Sequence, residues 1–276
     1  MTGGNATLPP GLAQSMLMNQ TLPKAPSRDM FNVQAMTSSI SPKKFMTASQ
    51  QTMHPAHQPA TVRQRPPKVI EFVYDHDFDE NGALYYLGTY GRKRPWQNPH
   101  ALGLVQSFTS SIGNGKVEDI VGRYTVNCRT LNEAYSFFGV DLGQGRFLAP
   151  SCYSVKNRNS ETHVLMNWHL EASNDRINWV LLDRRIYLSD NPEFNQAVQA
   201  EQKLLCQKGA TSTWGVDPNI YMPPQSLDDE PNPYAGGFRY FRIVQVGKNS
   251  SGSDNLTLSG LELYGRVTQN QSAWEF

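Results

Sequence analysis

The chain of 276 residues is long enough for one large domain or two small ones, and its formal net charge is only +1 at pH 7. It contains no run of about 18 or more apolar residues, which excludes a membrane-spanning helix. Three cysteines cannot all pair, and the N-terminus lacks the apolar core of a secretory signal, so we expect an intracellular, cytoplasmic protein.

Residues 1–67 differ in composition from the rest of the chain. They contain nine of the 18 prolines, seven of the nine methionines and only two aromatic residues. Their net charge is +5, whereas the remaining residues have a net charge of −4. Such a composition buries too little apolar surface to offset chain entropy, which predicts a disordered arm or one ordered by an acidic partner. The alternative is a simple solvated tail.

Order is predicted to begin at Lys68, after two prolines. The run Val69–Tyr74 is rich in β-branched and aromatic residues and has the length of a strand. The run Ala83–Gly88 has the same character, and acidic residues separate the two. The pattern therefore predicts a β-hairpin with an acidic tip.

Further short runs, separated by turn residues, predict additional strands along the chain. They are 103–108, 137–142, 151–155, 164–172, 179–183, 238–246 and 256–265. Only Asn195–Lys208 has a helical pattern, and Pro218–Gly237 is predicted to be a long surface loop. The fold class that follows is all-β, an antiparallel β-sandwich with a short helical insertion.

Three sets of motifs share their order and spacing with one known family. They are Gly139–Gly143; Leu170–Asp175 followed by Trp179; and the pair Arg239–Ile243 and Leu261–Gly265. They resemble the galactose-binding-like β-sandwich of discoidin (coagulation-factor type C) domains and of the DOC domain of the anaphase-promoting complex. The resemblance implies a sandwich over residues 68–268, followed by a C-terminal tail, residues 269–276.

A subgroup of these domains, attached to BTB and HECT ubiquitin-ligase chains, is more similar still. The matching segments here are Asp77–Gly82, Leu84–Thr89 and Trp96–Pro99. This likeness implies a protein-recognition module that recruits partners or substrates for ubiquitin ligation. No BTB or HECT segment is present in this sequence, which leaves the ligase itself unassigned.

The signature residues also have structural interpretations. Trp179 is predicted to plug one end of the sandwich, with its ring nitrogen bound to a carbonyl. Arg239 and Arg242 are separated by an odd number of positions, so they cannot both face the same side of a regular strand. We expect one of them to pair with Asp141 or Glu262.

The acidic run before the second predicted strand has the alternating oxygen ligands of a calcium loop. Asp75, Asp77, Asp79 and Asn81 are the candidate ligands. Counting from Asp77, the twelfth position is Gly88 and not the bidentate Glu of an EF-hand. We therefore expect no cofactor other than a possible calcium ion in this turn, and the alternative is an acidic turn closed by Asx hydrogen bonds.

A cationic loop follows the same strand and is the predicted ligand-binding surface. Its candidate residues are Arg92, Lys93, Arg94, Trp96 and Asn98. Charge and stacking suit them to an acidic peptide, a glycan ring or a C-terminal carboxylate. The alternative is that Trp96 folds back over the core.

The sequence contains none of the usual patterns of catalytic residues. No H-x-x-x-H, C-x-x-C, G-x-S-x-G or phosphate-binding glycine loop is present. We therefore expect a non-enzymatic protein that binds protein partners, with neither nucleic acid nor membrane as its partner. Two alternatives stay open: a structural protein whose arm is ordered on a filament or large assembly, and calcium-dependent glycan binding.

Overall fold

Two antiparallel sheets dominate the computed structural model, which describes residues 67–187, 205, 207–222 and 236–270. The elements are β1 Lys68–Phe72, α1 Ala83–Gly88, β2 Gln106–Thr109, a 3₁₀ helix Val117–Val121, β3 Phe137–Asp141, β4 Arg146–Lys156, β5 Asn167–Ser173, β6 Val180–Ile186, β7 Thr211–Gly215, a 3₁₀ helix Pro218–Ile220, β8 Tyr240–Gln245 and β9 Gly260–Gln269. The strand orders are β1-β9-β4-β7 and β2-β3-β8-β5-β6. The predicted all-β sandwich is confirmed.

The hairpin predicted at the start of the domain is wrong. Strand β1 pairs with β9, and the run Ala83–Gly88 is the helix α1. Its buried residues include Ala83, Leu84 and Leu87, which lie on one helical face against the core. The backbone N–H groups of Leu84 and Tyr85 donate to the Glu262 carboxylate at 2.7 and 3.0 Å, which satisfies two donors that a first helical turn leaves free.

Several other predictions fall at the limits of the described residues. Strand β7 was not predicted, because its Thr-Ser-Thr run lacks apolar alternation. The helix predicted at Asn195–Lys208 lies almost wholly outside the described residues, and Gln207 and Lys208 belong to a turn. The predicted arm, apart from Pro67, and residues 271–276 also lie outside them. No helix in the described ranges is long and apolar enough to span a bilayer.

The core between the sheets contains a chain of buried aromatic and polar groups. The Trp168 ring N–H donates to the Tyr153 hydroxyl at 2.9 Å, and that hydroxyl donates to the Asp183 carboxylate at 2.8 Å. Trp214 packs edge-on against Trp168, with their ring centroids 4.9 Å apart. The Tyr153 hydroxyl therefore links the two sheets.

Substituting Tyr153→Phe is expected to lower the free energy of unfolding by about 1–3 kcal/mol. The change leaves the buried Trp168 N–H without its acceptor and removes a donor from Asp183. Urea unfolding of the full chain measures the effect. The control is Tyr240→Phe, which changes a half-buried tyrosine of strand β8 on the outer face of the five-stranded sheet. An equal loss in both variants would contradict the role assigned to the hydroxyl.

The position predicted for Trp179 is wrong, although its hydrogen-bond partner is of the predicted kind. Its ring N–H donates to the carbonyl of Arg176 at 3.1 Å. The ring is half-buried on the outer face of the five-stranded sheet, 3.9 Å from the Arg242 guanidinium. Because Leu182 points into the core, the alternation of strand β6 directs Trp179 and Leu181 outwards.

Two arginine–carboxylate pairs lie on the outer face of the five-stranded sheet. Arg239 binds Asp141 through two hydrogen bonds of 2.6 and 2.7 Å, which confirms the predicted pair. Arg242 pairs with Glu171, with Nη2 and Oε2 2.6 Å apart. Glu262, the other predicted partner, is buried at the first turn of α1 instead.

Candidate binding cleft beside helix α1

The acidic turn before α1 is closed by hydrogen bonds to one aspartate. The Asp79 carboxylate is buried and accepts the backbone N–H groups of Asp75 and Asn81, both at 2.8 Å, and of His76 at 3.4 Å. Burial disfavours the ionised carboxylate, but these backbone donors outweigh it and lower the Asp79 pKa. The turn thus has the Asx hydrogen bonds of the alternative considered for it.

The remaining predicted calcium ligands also have partners within the protein. The Asp77 carboxylate accepts the Tyr74 hydroxyl at 3.0 Å, and the Asn81 side-chain carbonyl accepts Arg92 Nη2 at 2.9 Å. Within the described ranges, no three His, Cys, Asp or Glu side chains are grouped so as to hold a metal ion. Calcium binding by this turn stays a prediction, and it would require Arg92 to leave Asn81.

The cationic loop leaves helix α1 in an unusual backbone conformation. Residues 90–92 have consecutive φ angles of 50, 71 and 66°, all in the left-handed region, and only the middle residue is glycine. The Thr89 carbonyl accepts the N–H groups of both Lys93 and Arg94, at 2.9 and 3.0 Å. Left-handed residues other than glycine are unfavourable and cluster at functional sites. The loop is therefore held in one conformation that fixes where its cations lie.

A cleft of about 260 Å³ lies between this loop, the acidic turn and α1. Its lining residues are Glu80, Asn81, Tyr85, Thr89, Arg92 and Arg94. Arg92, Lys93 and Arg94 are exposed, and none of them forms an ion pair with a carboxylate in the part of the chain that is described. Arginine forks bind carboxylates through two hydrogen bonds, so the cleft is suited to an anionic group that also carries a donor for Glu80.

Trp96 and Asn98, the other two predicted ligand residues, do not line the cleft. Trp96 is half-buried against α1, where a Cβ on Gly88 would lie 2.6 Å from its ring nitrogen, and it packs edge-on against Tyr124. The Asn98 side-chain amide donates to the Glu118 carbonyl at 2.9 Å. These two residues hold the loop against the domain, and ligand binding by the loop stays a prediction.

The floor of the cleft depends on Arg123, which the sequence did not single out. Its guanidinium donates to the carbonyls of Asp79 at 2.9 Å and Phe78 at 2.7 Å, and it lies 5.0 Å from the Tyr85 ring centroid. It also lies 3.5 Å from the Glu262 carboxylate. Only the helical conformation of the Leu-Tyr-Tyr run turns Tyr85 towards the cleft, so a strand prediction there conceals this wall.

No family model matches the chain. It is similar to parts of curated proteins: it is 33% identical over 219 residues to the E3 ubiquitin-protein ligase Ufd4 of Drosophila melanogaster and 35% identical over 207 residues to the E3 ubiquitin-protein ligase hecd-1 of Caenorhabditis elegans. These matches cover 76% and 72% of this chain, but only 7% of each relative. The BTB/POZ domain-containing protein At2g30600 of Arabidopsis thaliana is 25% identical over 241 residues, which is 80% of this chain and 25% of that protein.

Solved structures of sugar-binding modules are also similar to this chain. The module CpGH89CBM32-5 from Clostridium perfringens is 11% identical, with a TM-score of 0.40, over 59% of this chain and 96% of that module. The lectin domain of Lectinolysin is 16% identical, with a TM-score of 0.37, over 58% of this chain and 92% of that domain. The curated relatives are two E3 ubiquitin-protein ligases and a BTB/POZ domain-containing protein, which confirms the predicted resemblance to a segment of ubiquitin-ligase and BTB chains.

Proposed function

Because the chain is a galactose-binding-like β-sandwich similar to a segment of two E3 ubiquitin-protein ligases, we propose that it is a non-enzymatic recognition module that recruits protein partners for ubiquitin ligation. The observation that supports a binding role is the fixed cationic loop, which presents Arg92 and Arg94 to one cleft. An intracellular location fits this role. The ligase activity belongs to the relatives, of whose length this chain spans 7%.

The chemistry of the cleft favours an acidic segment of a partner protein. Arg92 and Arg94 supply guanidinium groups for a carboxylate, and Lys93 adds a third exposed cation next to them. Glu80 lines the opposite wall and offers a carboxylate oxygen to a backbone N–H of the bound segment, whereas the Asn81 carbonyl already accepts Arg92. A ligand with one carboxylate and one donor would satisfy both walls.

Substituting Arg92→Gln together with Arg94→Gln is expected to reduce capture of partner proteins by about tenfold, since each lost charge-assisted hydrogen bond costs about 1 kcal/mol or more. The experiment compares proteins that co-purify from native extract with the tagged wild-type chain and with the double variant, quantified by mass spectrometry. We expect ubiquitin-ligase components or their substrates among the proteins lost.

The control is Arg266→Gln, which removes an exposed arginine from strand β9 of the four-stranded sheet and away from the cleft lining. Because the attraction is between charged groups at an exposed site, capture should also weaken as salt rises. Recovery of the same ligase components by wild type and double variant would refute binding through the cleft. Recovery of no ligase component by either would refute the recruiting role.

A further inference from the structure

The outer face of the five-stranded sheet carries a row of side chains that crosses every strand. Phe108, Gly139, Arg242, Glu171 and Leu181 are successive cross-strand partners from β2 to β6. A Cβ on Gly139 would lie 2.5 Å from the Phe108 ring, so the missing side chain lets that ring lie flat on the sheet. The solvent face of an antiparallel sheet is ordinarily polar, and this one has aromatic rings and arginines at its centre.

The arginine at the centre of the row is fixed on three sides. The Arg242 guanidinium lies 3.9 Å from the Trp179 ring centroid and 5.1 Å from that of Phe137. It also pairs with the Glu171 carboxylate. Cation–π contacts together with an ion pair hold these side chains in place before any partner binds, which reduces the entropy lost on binding.

The turn before Trp179 adds a second arginine to the same face. The Asp175 carboxylate accepts the N–H groups of Ile177 at 2.8 Å and Asn178 at 2.7 Å, and these bonds lower its pKa. The turn holds Arg176 at a left-handed φ of 63°, with its guanidinium 4.4 Å from the Phe108 ring centroid. The family motif around Asp175 and Trp179 therefore shapes this outer face.

The face has more positive than negative charge available to a partner. Arg176 and Arg184 are exposed, and neither forms an ion pair with a carboxylate among the residues that the structure describes. Arg184 lies opposite His169 in the register of β5 and β6, on the same side of the sheet as Glu171. Among the described acidic groups of the face, Asp141 and Glu171 are already paired with Arg239 and Arg242, and the Asp175 carboxylate accepts hydrogen bonds within its own turn.

Apolar side chains surround these cations. Ile177 is 81% exposed, Tyr135 is 71% exposed and Leu181 is 42% exposed. A groove of about 530 Å³ lies on the face, with walls formed by Tyr135, Phe137, His169, Val244 and Val246. Exposed aromatic and aliphatic groups beside arginines are typical of the energetic centres of protein–protein interfaces.

We propose that this outer face is a second docking surface, which binds an acidic segment of a partner protein that also carries apolar side chains. The partner's carboxylates pair with Arg176 and Arg184, and its apolar side chains enter the groove beside Tyr135. Charge argues against the chain's own residues 1–67 as the occupant, because their net charge is +5. It argues equally against the same face of a second copy. This surface is separate from the cleft beside α1.

The probe for this surface is a short fluorescein-labelled peptide in which Glu alternates with Phe. Two matched peptides replace its Glu by Gln or its Phe by Ser. Fluorescence anisotropy measures binding to the full chain. We expect the Glu–Phe peptide to bind, and each matched peptide to bind about tenfold more weakly or less, because both charge and apolar contacts contribute.

Substituting Arg176→Gln with Arg184→Gln is expected to weaken binding of the Glu–Phe peptide about tenfold. The Arg266→Gln control should leave it unchanged. The cleft variant Arg92→Gln/Arg94→Gln, which removes only a second site for acidic groups, should still bind the peptide. In nuclear magnetic resonance spectra, the indole N–H signal of Trp179 should shift on binding and that of the buried Trp168 should not.

Four outcomes of the peptide measurements would overturn the docking surface. They are failure of the wild-type chain to bind the Glu–Phe peptide, an equal loss in Arg266→Gln, an unmoved Trp179 signal, and loss of binding only in the cleft variant. The last would assign the peptide to the cleft and so support the proposed function while removing this inference. A dimer in sedimentation experiments that disappears in Arg176→Gln/Arg184→Gln would place a second copy on the face and also overturn it.

Discussion

Substituting Glu262→Ala is expected to lower the free energy of unfolding by about 3–5 kcal/mol, because two buried backbone N–H groups each lose their acceptor at a cost of about 1–3 kcal/mol. The Glu262 carboxylate is 1% exposed and accepts the first-turn N–H groups of Leu84 and Tyr85. It also lies 3.5 Å from the Arg123 guanidinium. Alanine would leave two backbone donors and one cation without a buried acceptor, each at a cost.

Urea unfolding of the full chain tests this prediction, with Glu71→Ala as the control. Glu71 is an exposed carboxylate on strand β1, and its loss should change stability by about 0.5 kcal/mol or less. Gly82→Ala provides an independent test, because its Cβ would lie 2.2 Å from the Glu262 carboxyl carbon and must displace it. If Glu262→Ala costs no more than Glu71→Ala, the carboxylate does not hold helix α1 on the sandwich.

Glu262 also shows where prediction from the sequence reached its limit. The sandwich could be predicted because strand alternation and turn residues are local signals, and the Asp141–Arg239 pair followed from motif positions. The Leu-Tyr-Tyr-Leu run has residues common in strands. As a helix, it donates first-turn hydrogen bonds to Glu262, which lies 178 positions from Leu84 in the sequence. A pattern of neighbouring residues cannot predict a contact between residues so far apart in the sequence.

Only one wall of the candidate cleft could be predicted from the sequence. Arg92 and Arg94 are close in sequence, so their grouping was visible without a structure. The opposite wall, which includes Glu80 and Tyr85, depends on the helix and was therefore missed. Trp179 was predicted to lie in the core because a large aromatic residue in a motif resembles a core residue. Its outward direction follows from Leu182, three positions later, whose side chain points into the core.

The stability of the domain is expected to fall as pH rises from 4.5 to 7, through the titration of Glu262. Burial raises the pKa of this carboxyl from 4.5 to about 7, although backbone N–H donors and the Arg123 charge oppose the rise. The folded state then binds the proton more tightly than the unfolded state does. Protonation stabilises the fold across this interval, and its loss by pH 7 costs about 3 kcal/mol.

The measurement is the difference in unfolding free energy between the wild-type chain and Glu262→Gln across this pH range. The His163 pKa is lowered, mainly by burial, so that residue contributes stability that grows as pH rises towards 6.5. Asp79, with its lowered pKa, contributes stability that is lost as pH falls below 3.8. Both contributions are present in wild type and variant, so they cancel in the difference. Because Gln does not titrate, the pH dependence that is left belongs to Glu262.

A difference that falls as pH rises would show that the buried carboxyl carries a proton near neutral pH and then donates one hydrogen bond. A difference that rises would show the opposite: Arg123 and the two backbone donors of α1 would hold Glu262 ionised in the fold. The two results assign different charges to the base of the cleft. Arg123 joins Glu262 to the cleft wall at Tyr85. An ionised Glu262 would therefore offset the Arg123 charge beneath the cleft, whereas a protonated Glu262 would leave that charge to reinforce Arg92 and Arg94 in attracting a carboxylate ligand.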